Sequence, residues 1–169
     1  KKTIPLSIEL DTTNRIIVIS GPNAGGKSVC LKTVGLLQYM LQCGIPIPID
    51  EGSQTGIVEN IFIDIGDQQS LENDLSTYSS HLTNMNYFLK FSTAKTLILI
   101  DEFGTGTDPQ FGGAIAEAIL LQLNKIKMLG VITTHYTNLK IAGEKTPGIV
   151  NGAMLFDQAK LEPLYILQI

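Results

Sequence analysis

The stretch "RIIVISGPNAGGKSVC", residues 15–30, decides how this chain is read. Its first part, "RIIVIS" (15–20), is a continuous β-branched run, the pattern of a strand buried on both faces. Residues 28–42, "SVCLKTVGLLQYMLQ", are apolar nearly all round, which predicts a helix pressed against a sheet. Between them, Gly21, Gly26, Lys27 and Ser28 satisfy G-x-x-x-x-G-K-[ST] at every fixed position, with Gly25 adding freedom to the turn. Glycines permit backbone angles that turn successive N–H groups inward and form an anion-binding nest. The following helix aims its positive N-terminal end at the same point. The loop therefore reads as a phosphate cradle for ATP, lined by Gly21, Pro22, Asn23, Ala24, Gly25, Gly26, Lys27, Ser28 and Val29. Lys27 is expected to reach the β- and γ-phosphates, and the Ser28 hydroxyl to ligate Mg²⁺. A glycine-rich turn of purely structural use is the competing reading.

Outward from this loop, strand-like and helix-like runs alternate. "TIPLSIEL" (3–10) alternates apolar and polar residues and predicts an edge strand. "GIPIPIDEGSQTG" is a proline- and glycine-punctuated loop. "ENIFIDI" (59–65) predicts a strand, and "GDQQSLENDLST" (66–77) a polar loop that should be poorly ordered without a partner. "YSSHLTNMNYFLKF" (78–91) carries Leu82, Met85, Phe88 and Leu89 at helical spacing. "TLILI" (96–100) is the most hydrophobic strand, and residues 109–127 form a long helix with Pro109 in its first turn. "MLGVITT" (128–134) is a buried strand. A short helix and a hairpin of "IVNGAMLFD" with "KLEPLYILQI" follow. This alternation predicts an α/β fold: a mostly parallel sheet with flanking helices and an antiparallel edge, whose ligand lies beyond the carboxyl ends of the strands.

Two further groups arrive at that edge. "LILIDE" (97–102) is an apolar strand ending in two acids, placed beside the loop of the first strand. Asp101 is expected to hold a Mg²⁺-bound water, and Glu102 to polarise the water attacking the γ-phosphate. "ITTHY" (132–136) brings His135 to contact the γ-phosphate or orient that water. The competing readings are a solvated strand end for the acids and a structural histidine for His135. His81 has the weaker claim of the two histidines.

Composition excludes other classes. The chain is 44% hydrophobic and 17% charged, so it should be globular. Its net charge is −4, Arg15 is the single arginine, and the lysines are scattered. A nucleic-acid surface is a clustered basic footprint, so these residues are not expected to grip DNA or RNA themselves. No apolar run approaches the ~18 residues of a membrane span, no signal peptide is visible, and a cytoplasmic setting without membrane contact is expected. Cys30 and Cys43 lie thirteen positions apart in apolar surroundings and read as small buried hydrophobes. The 169 residues are expected to form one domain, cut from something larger.

At "SGPNAGGKSVCLKTVGLLQYMLQCGIPIP", "LSTYSSHLTN", "LILIDEFGTGTDP" and "TTHY" the sequence resembles the MutS family of DNA mismatch-repair ATPases, an ABC-type branch of the P-loop NTPases. "DEGSQ", "DIGDQQS" and "STYSSH" look most like its second bacterial class. The resemblance covers essentially the whole chain. It implies a dimer with two composite ATP sites, each shared between one subunit's phosphate loop and the other's signature segment. The matching signature here is "LSTYSSH", so Ser76 would reach the partner's γ-phosphate. "GTGTDP" resembles a loop that crosses the dimer interface, which makes Asp108 a contact to the opposite subunit. Gln68 is implied as a sensor of metal or γ-phosphate. The upstream lever and clamp, a C-terminal Smr nuclease domain and a helix-turn-helix dimerisation extension have no counterpart in these residues.

The residues alone also favour a shared site. Phosphoryl transfer needs positive charge or dipole on the γ-phosphate, and Arg15 precedes its strand, at the wrong end of the sheet. Three hypotheses result. The first is an ATPase engine; the resemblance implies a parent that acts on branched or mismatched DNA or on stalled ribosomes, with DNA contacted through other domains. The second is a nucleotide-gated dimerisation module with negligible hydrolysis. The third is a transporter-type or SMC-type ABC ATPase, against which "LSTYSSH" argues because those classes usually carry an LSGGQ-like signature.

Overall fold

The computed structural model describes residues 3–66 and 74–169, except for the side chains of Asn23 and of residues 74–77. Its strands are β1 Ile16–Ser20, β2 Asn60–Asp64, β3 Thr96–Ile100, β4 Leu129–Thr133, β5 Ile149–Asp157 and β6 Glu162–Gln168. Its α-helices are α1 Lys27–Gln42, α2 Asp74–Phe91, α3 Pro109–Ile126 and α4 Thr137–Lys145. The six strands form one sheet in the order β2-β3-β4-β1-β5-β6. The first five are mutually parallel, and β6 returns antiparallel along β5.

The period of two in each strand sorts side chains onto two faces. Ile16, Val18, Ile98, Ile100 and Ile132 join Met85 and Phe88 of α2, Leu120 and Leu123 of α3, and Leu139 of α4. The intervening Ile17, Ile19, Leu97, Leu99 and Val131 meet Cys30 and Leu31 of α1 on the opposite face. All five residues of β3 are buried, as a central parallel strand covered on both sides requires.

Four expectations are corrected. Residues 3–10 do not form a strand. Their alternation is real, but Leu6, Ile8 and Leu10 use it to pack on the α1 face of the sheet without a ladder partner. The expected loop at 66–77 fails at residues 74–77, which form the first turn of α2; residues 67–73 lie outside the described residues. β4 stands between β1 and β3, so the acid-bearing strand is not the neighbour of the glycine-loop strand. Cys30 is buried, and burial pushes its thiol up to about 11, but Cys43 is exposed just past the end of α1.

Two long-range ties fix the carboxyl edge of the sheet. Gly112, in the first turn of α3, presses on the loop after β3: a Cβ there would lie 2.5 Å from the Gly104 carbonyl oxygen. Asp64, the buried last residue of β2, accepts hydrogen bonds from two side chains of α2, His81 Nδ1 at 2.6 Å and Asn84 Nδ2 at 2.8 Å. The hydrogen bond to Asp64 raises the His81 pKa above its ordinary value, against a smaller opposing effect of burial.

Both ties make predictions. Gly112→Ala should destabilise the fold by about 1–3 kcal/mol, because its new methyl group meets backbone rather than a yielding side chain; chemical denaturation measures this. A histidine with a raised folded pKa contributes most below its unfolded value of 6.5 and loses that contribution as pH climbs through the folded value. The stability gap between wild type and His81→Asn should therefore narrow from pH 6.5 toward mildly alkaline pH in thermal melts, and a gap that widens would contradict the pairing.

Candidate functional site

The loop after β1 is built by backbone conformations that need glycine. Gly21 has φ of 127° and Gly26 has φ of 91°, in the region that side chains with a Cβ rarely adopt. A single 3₁₀ turn, Asn23–Gly25, lies between them. The N-cap of α1 is Gly26, which has no side chain to cap the helix, and first-turn N–H groups are the donors that a helix start offers to an anion. The β5–β6 hairpin backs the loop closely. A Cβ on Gly21 would lie 3.2 Å from the Met154 carbonyl oxygen, and one on Gly26 would lie 2.7 Å from the Tyr165 ring.

Lys27 opens α1 and is only 2% exposed. Its Nζ donates to the Gly21 carbonyl oxygen at 2.6 Å, so the side chain folds back across the loop. Desolvation lowers its pKa, and the carboxylates of Glu102 and Asp101 oppose that shift. The three groups therefore share one electrostatic neighbourhood, although β4 separates their strands. Ser28 follows on the same helix turn and is half-buried.

Thr133, the buried last residue of β4, organises the two acids. Its hydroxyl donates to Asp101 Oδ1 at 2.5 Å and accepts from the Glu102 backbone N–H at 2.8 Å. Asp101 is 7% exposed, and Glu102 has a left-handed φ of 51°. A non-glycine residue in that region is uncommon. It swings the Glu102 backbone out of the strand direction while Asp101 stays locked. The next residue of the β4 loop, Thr134, donates its N–H to the Ile19 carbonyl of β1 at 3.1 Å, which joins the third loop to the first. His135 then emerges exposed. Desolvation first, then the Lys27 charge, lowers its pKa, so the neutral imidazole is favoured.

The structure thus places Lys27, Asp101, Glu102 and His135 in one electrostatic neighbourhood, with Ser28 next to Lys27 on α1. Arg15 is remote, donating to the Thr12 carbonyl and to Asn124 Oδ1. Asp108 is the N-cap of α3, accepting from Gln110 N at 2.9 Å and Phe111 N at 3.4 Å. Ser76 stands in the first turn of α2, and Gln68 lies outside the described residues. Sequence reasoning did not single out Thr133, Asp64, Met154 or Tyr165, which surround the loop and the acids. A second acid ending a strand, in "IFID", was a usable signal for Asp64; nothing local marked the others.

Below Glu102, a cleft open to solvent lies between α2 and α3. His81, Tyr78 and Met85 line one wall, Ile115 and Ile119 the other, and Asp101 and Glu102 its head. Among the described residues, no group of three His, Cys, Asp or Glu side chains is arranged to hold a metal ion. A divalent cation at this edge would therefore need the Ser28 hydroxyl, Asp101 and oxygens of a ligand. Nor, among the described residues, is any helix long and apolar enough to cross a membrane.

Comparison with known proteins identifies the family. The family description "MutS domain V" matches residues 17–169. A protein of Thermomicrobium roseum named Endonuclease MutS2 is 48% identical over 167 residues, which are 99% of this chain and 21% of that protein. Endonuclease MutS2 of Geobacillus kaustophilus is 47% identical and that of Lactococcus lactis subsp. cremoris 46% identical, both over 169 residues, all of this chain and 22% of each relative. The chain spans about a fifth of the length of these curated relatives. With the family description covering nearly every residue and identity near one half along the whole length, the chain belongs to the MutS family as its domain V, in the MutS2 class.

Proposed function

We propose that this chain is a P-loop NTPase domain of the ABC type that binds Mg-ATP at residues 21–29 and hydrolyses it. The observation that carries this reading is Lys27: a buried ammonium at the start of α1, held by a loop carbonyl at 2.6 Å and within the electrostatic reach of two carboxylates. Burying a charge without using it is costly, and the carbonyl contact is one that phosphate oxygens can replace. The glycine conformations, the uncapped start of α1, Ser28 and Asp101 together fit a magnesium–triphosphate. Bound Mg²⁺ would supply charge neutralisation on the phosphate oxygens.

In this reading Lys27 binds the β- and γ-phosphates, and Ser28 and Asp101 hold the metal, Asp101 through water. Glu102 accepts the proton of the attacking water, aimed by its left-handed backbone. His135, kept neutral, orients that water or contacts the γ-phosphate. Tyr165 and Met154 form the floor that keeps the loop open. The site would be completed by a second copy, whose Ser76 reaches across at the start of α2. Asp108 lies on the same rim, beside the exposed Phe111 (70%) and Ile115 (39%) of α3. The intact protein would use ATP turnover to drive a MutS-like action on branched or mismatched DNA, or on a stalled ribosome, in the cytoplasm. Any nuclease activity and DNA grip would belong to other segments.

Two substitutions in the full-length protein test this. Lys27→Ala should weaken ATP binding by about tenfold to a hundredfold, through loss of charge-assisted hydrogen bonds; unchanged affinity by calorimetry would overturn the phosphate cradle. Glu102→Gln should cut turnover by about a hundredfold or more while ATP binding survives within about threefold. ATP binding without wild-type turnover would favour a nucleotide-gated dimerisation module instead.

A further inference from the structure

The Asp64 tie has chemistry that the ATPase reading leaves unused. Asp64 is 6% exposed, and both carboxylate oxygens are engaged by α2, Oδ2 with His81 and Oδ1 with Asn84. His81 and Asn84 are three residues apart and so share one helix face. The main-chain carbonyl of the same Asp64 accepts from the Asp101 N–H at 2.9 Å. One residue therefore links the side chains of α2 to the backbone of Asp101.

The two halves of α2 are held differently. The last turns are packed: Phe88 stacks on Phe62 of β2 with centroids 5.2 Å apart, and Tyr87 meets the same ring edge-on at 5.4 Å. Nearer its start, Tyr78, His81, Leu82 and Met85 line an open cleft shared with Ile115 and Ile119 of α3. The Tyr78 hydroxyl is buried there without a hydrogen-bond partner. Where the helix approaches the acids, the Asp64 bonds add directional contacts to the apolar lining of Leu82 and Met85, and so fix the position of His81 and Asn84 over β2. Ser76 precedes His81 by five residues, about 7.5 Å along a helix. A buried ion pair is weak evidence for stability but a good device for fixing one arrangement over its alternatives.

We propose that Asp64, His81 and Asn84 form a positioning clasp that sets the first turn of α2, with Ser76, against the Asp101–Glu102 end of β3. The clasp acts on turnover and leaves capture of ATP by residues 21–28 unchanged. It rests on the ATPase reading above. Its residues touch neither nucleotide nor metal in that reading; they act through the helix they hold.

The test compares His81→Leu with His81→Asn in the full-length protein, by steady-state turnover and by calorimetric ATP affinity. An asparagine amide nitrogen occupies nearly the place of imidazole Nδ1 and can keep the bond to Asp64. His81→Leu should lower kcat about tenfold to a hundredfold, as expected when a reacting constellation is displaced by about 1 Å, with ATP affinity within about twofold of wild type. His81→Asn should recover kcat to within about threefold of wild type. Asn84→Ala is the milder variant if His81→Leu does not fold; it should lower kcat about threefold, again with affinity retained. Unchanged kcat in a folded His81→Leu, equal losses of kcat and affinity, or failure of His81→Asn to rescue would each overturn the clasp. Lys27→Ala runs in parallel: normal ATP binding in that variant would remove the ATPase reading itself, a failure distinguishable from that of the clasp.

Discussion

A lysine ammonium withdrawn from water at the carboxyl edge of a parallel sheet is the constraint around which this chain is arranged. Lys27 is 2% exposed, and its Nζ donates to the carbonyl of Gly21 at 2.6 Å. An ammonium so placed is favoured by negative charge nearby, and Asp101 and Glu102 supply it from two strands away. It also requires a loop thin enough to be crossed by its own side chain. Gly21, Gly25 and Gly26 meet that need, and a Cβ at Gly26 would lie only 2.7 Å from the Tyr165 ring.

What was legible in the sequence is what is local. The β1 run, the glycine loop, the apolar start of α1 and the acids ending β3 declare themselves within a few residues, because strand burial and turn geometry are set by near neighbours. The illegible parts depend on partners far along the chain. Residues 3–10 carry a strand's alternation but satisfy it by packing on a sheet face, a choice periodicity cannot distinguish from a ladder. Residues 74–77 are polar and read as loop, yet they begin α2, whose apolar anchors Met85 and Phe88 lie two to three turns later. Asp64 and His81 meet across 17 residues, and neither neighbourhood announces the other.

The interposed strand β4 changes how the two acids should be understood. With β3 beside β1, Asp101 and Glu102 would face the glycine loop directly, and their roles would follow from proximity alone. With β4 between them, one hydroxyl does the sorting. Thr133 donates to the Asp101 carboxylate and accepts from the Glu102 N–H, so a single residue immobilises the first acid and props the backbone of the second.

The price of that arrangement is local strain: a left-handed residue other than glycine costs on the order of 1 kcal/mol, and such strain persists only where surrounding bonds over-determine it. Here the bonds are visible. Phe103 N–H donates to the Thr133 carbonyl at 2.8 Å, and Thr134 Oγ1 donates to the Phe103 carbonyl at 3.2 Å, so the chain is pinned immediately beyond Glu102. A strand end that merely met solvent would relax to ordinary extended geometry. Holding Asp101 in line with its strand while turning Glu102 away separates two adjacent carboxylates into two directions. That separation is what a site needs if one acid is to serve a cation and its neighbour a water molecule.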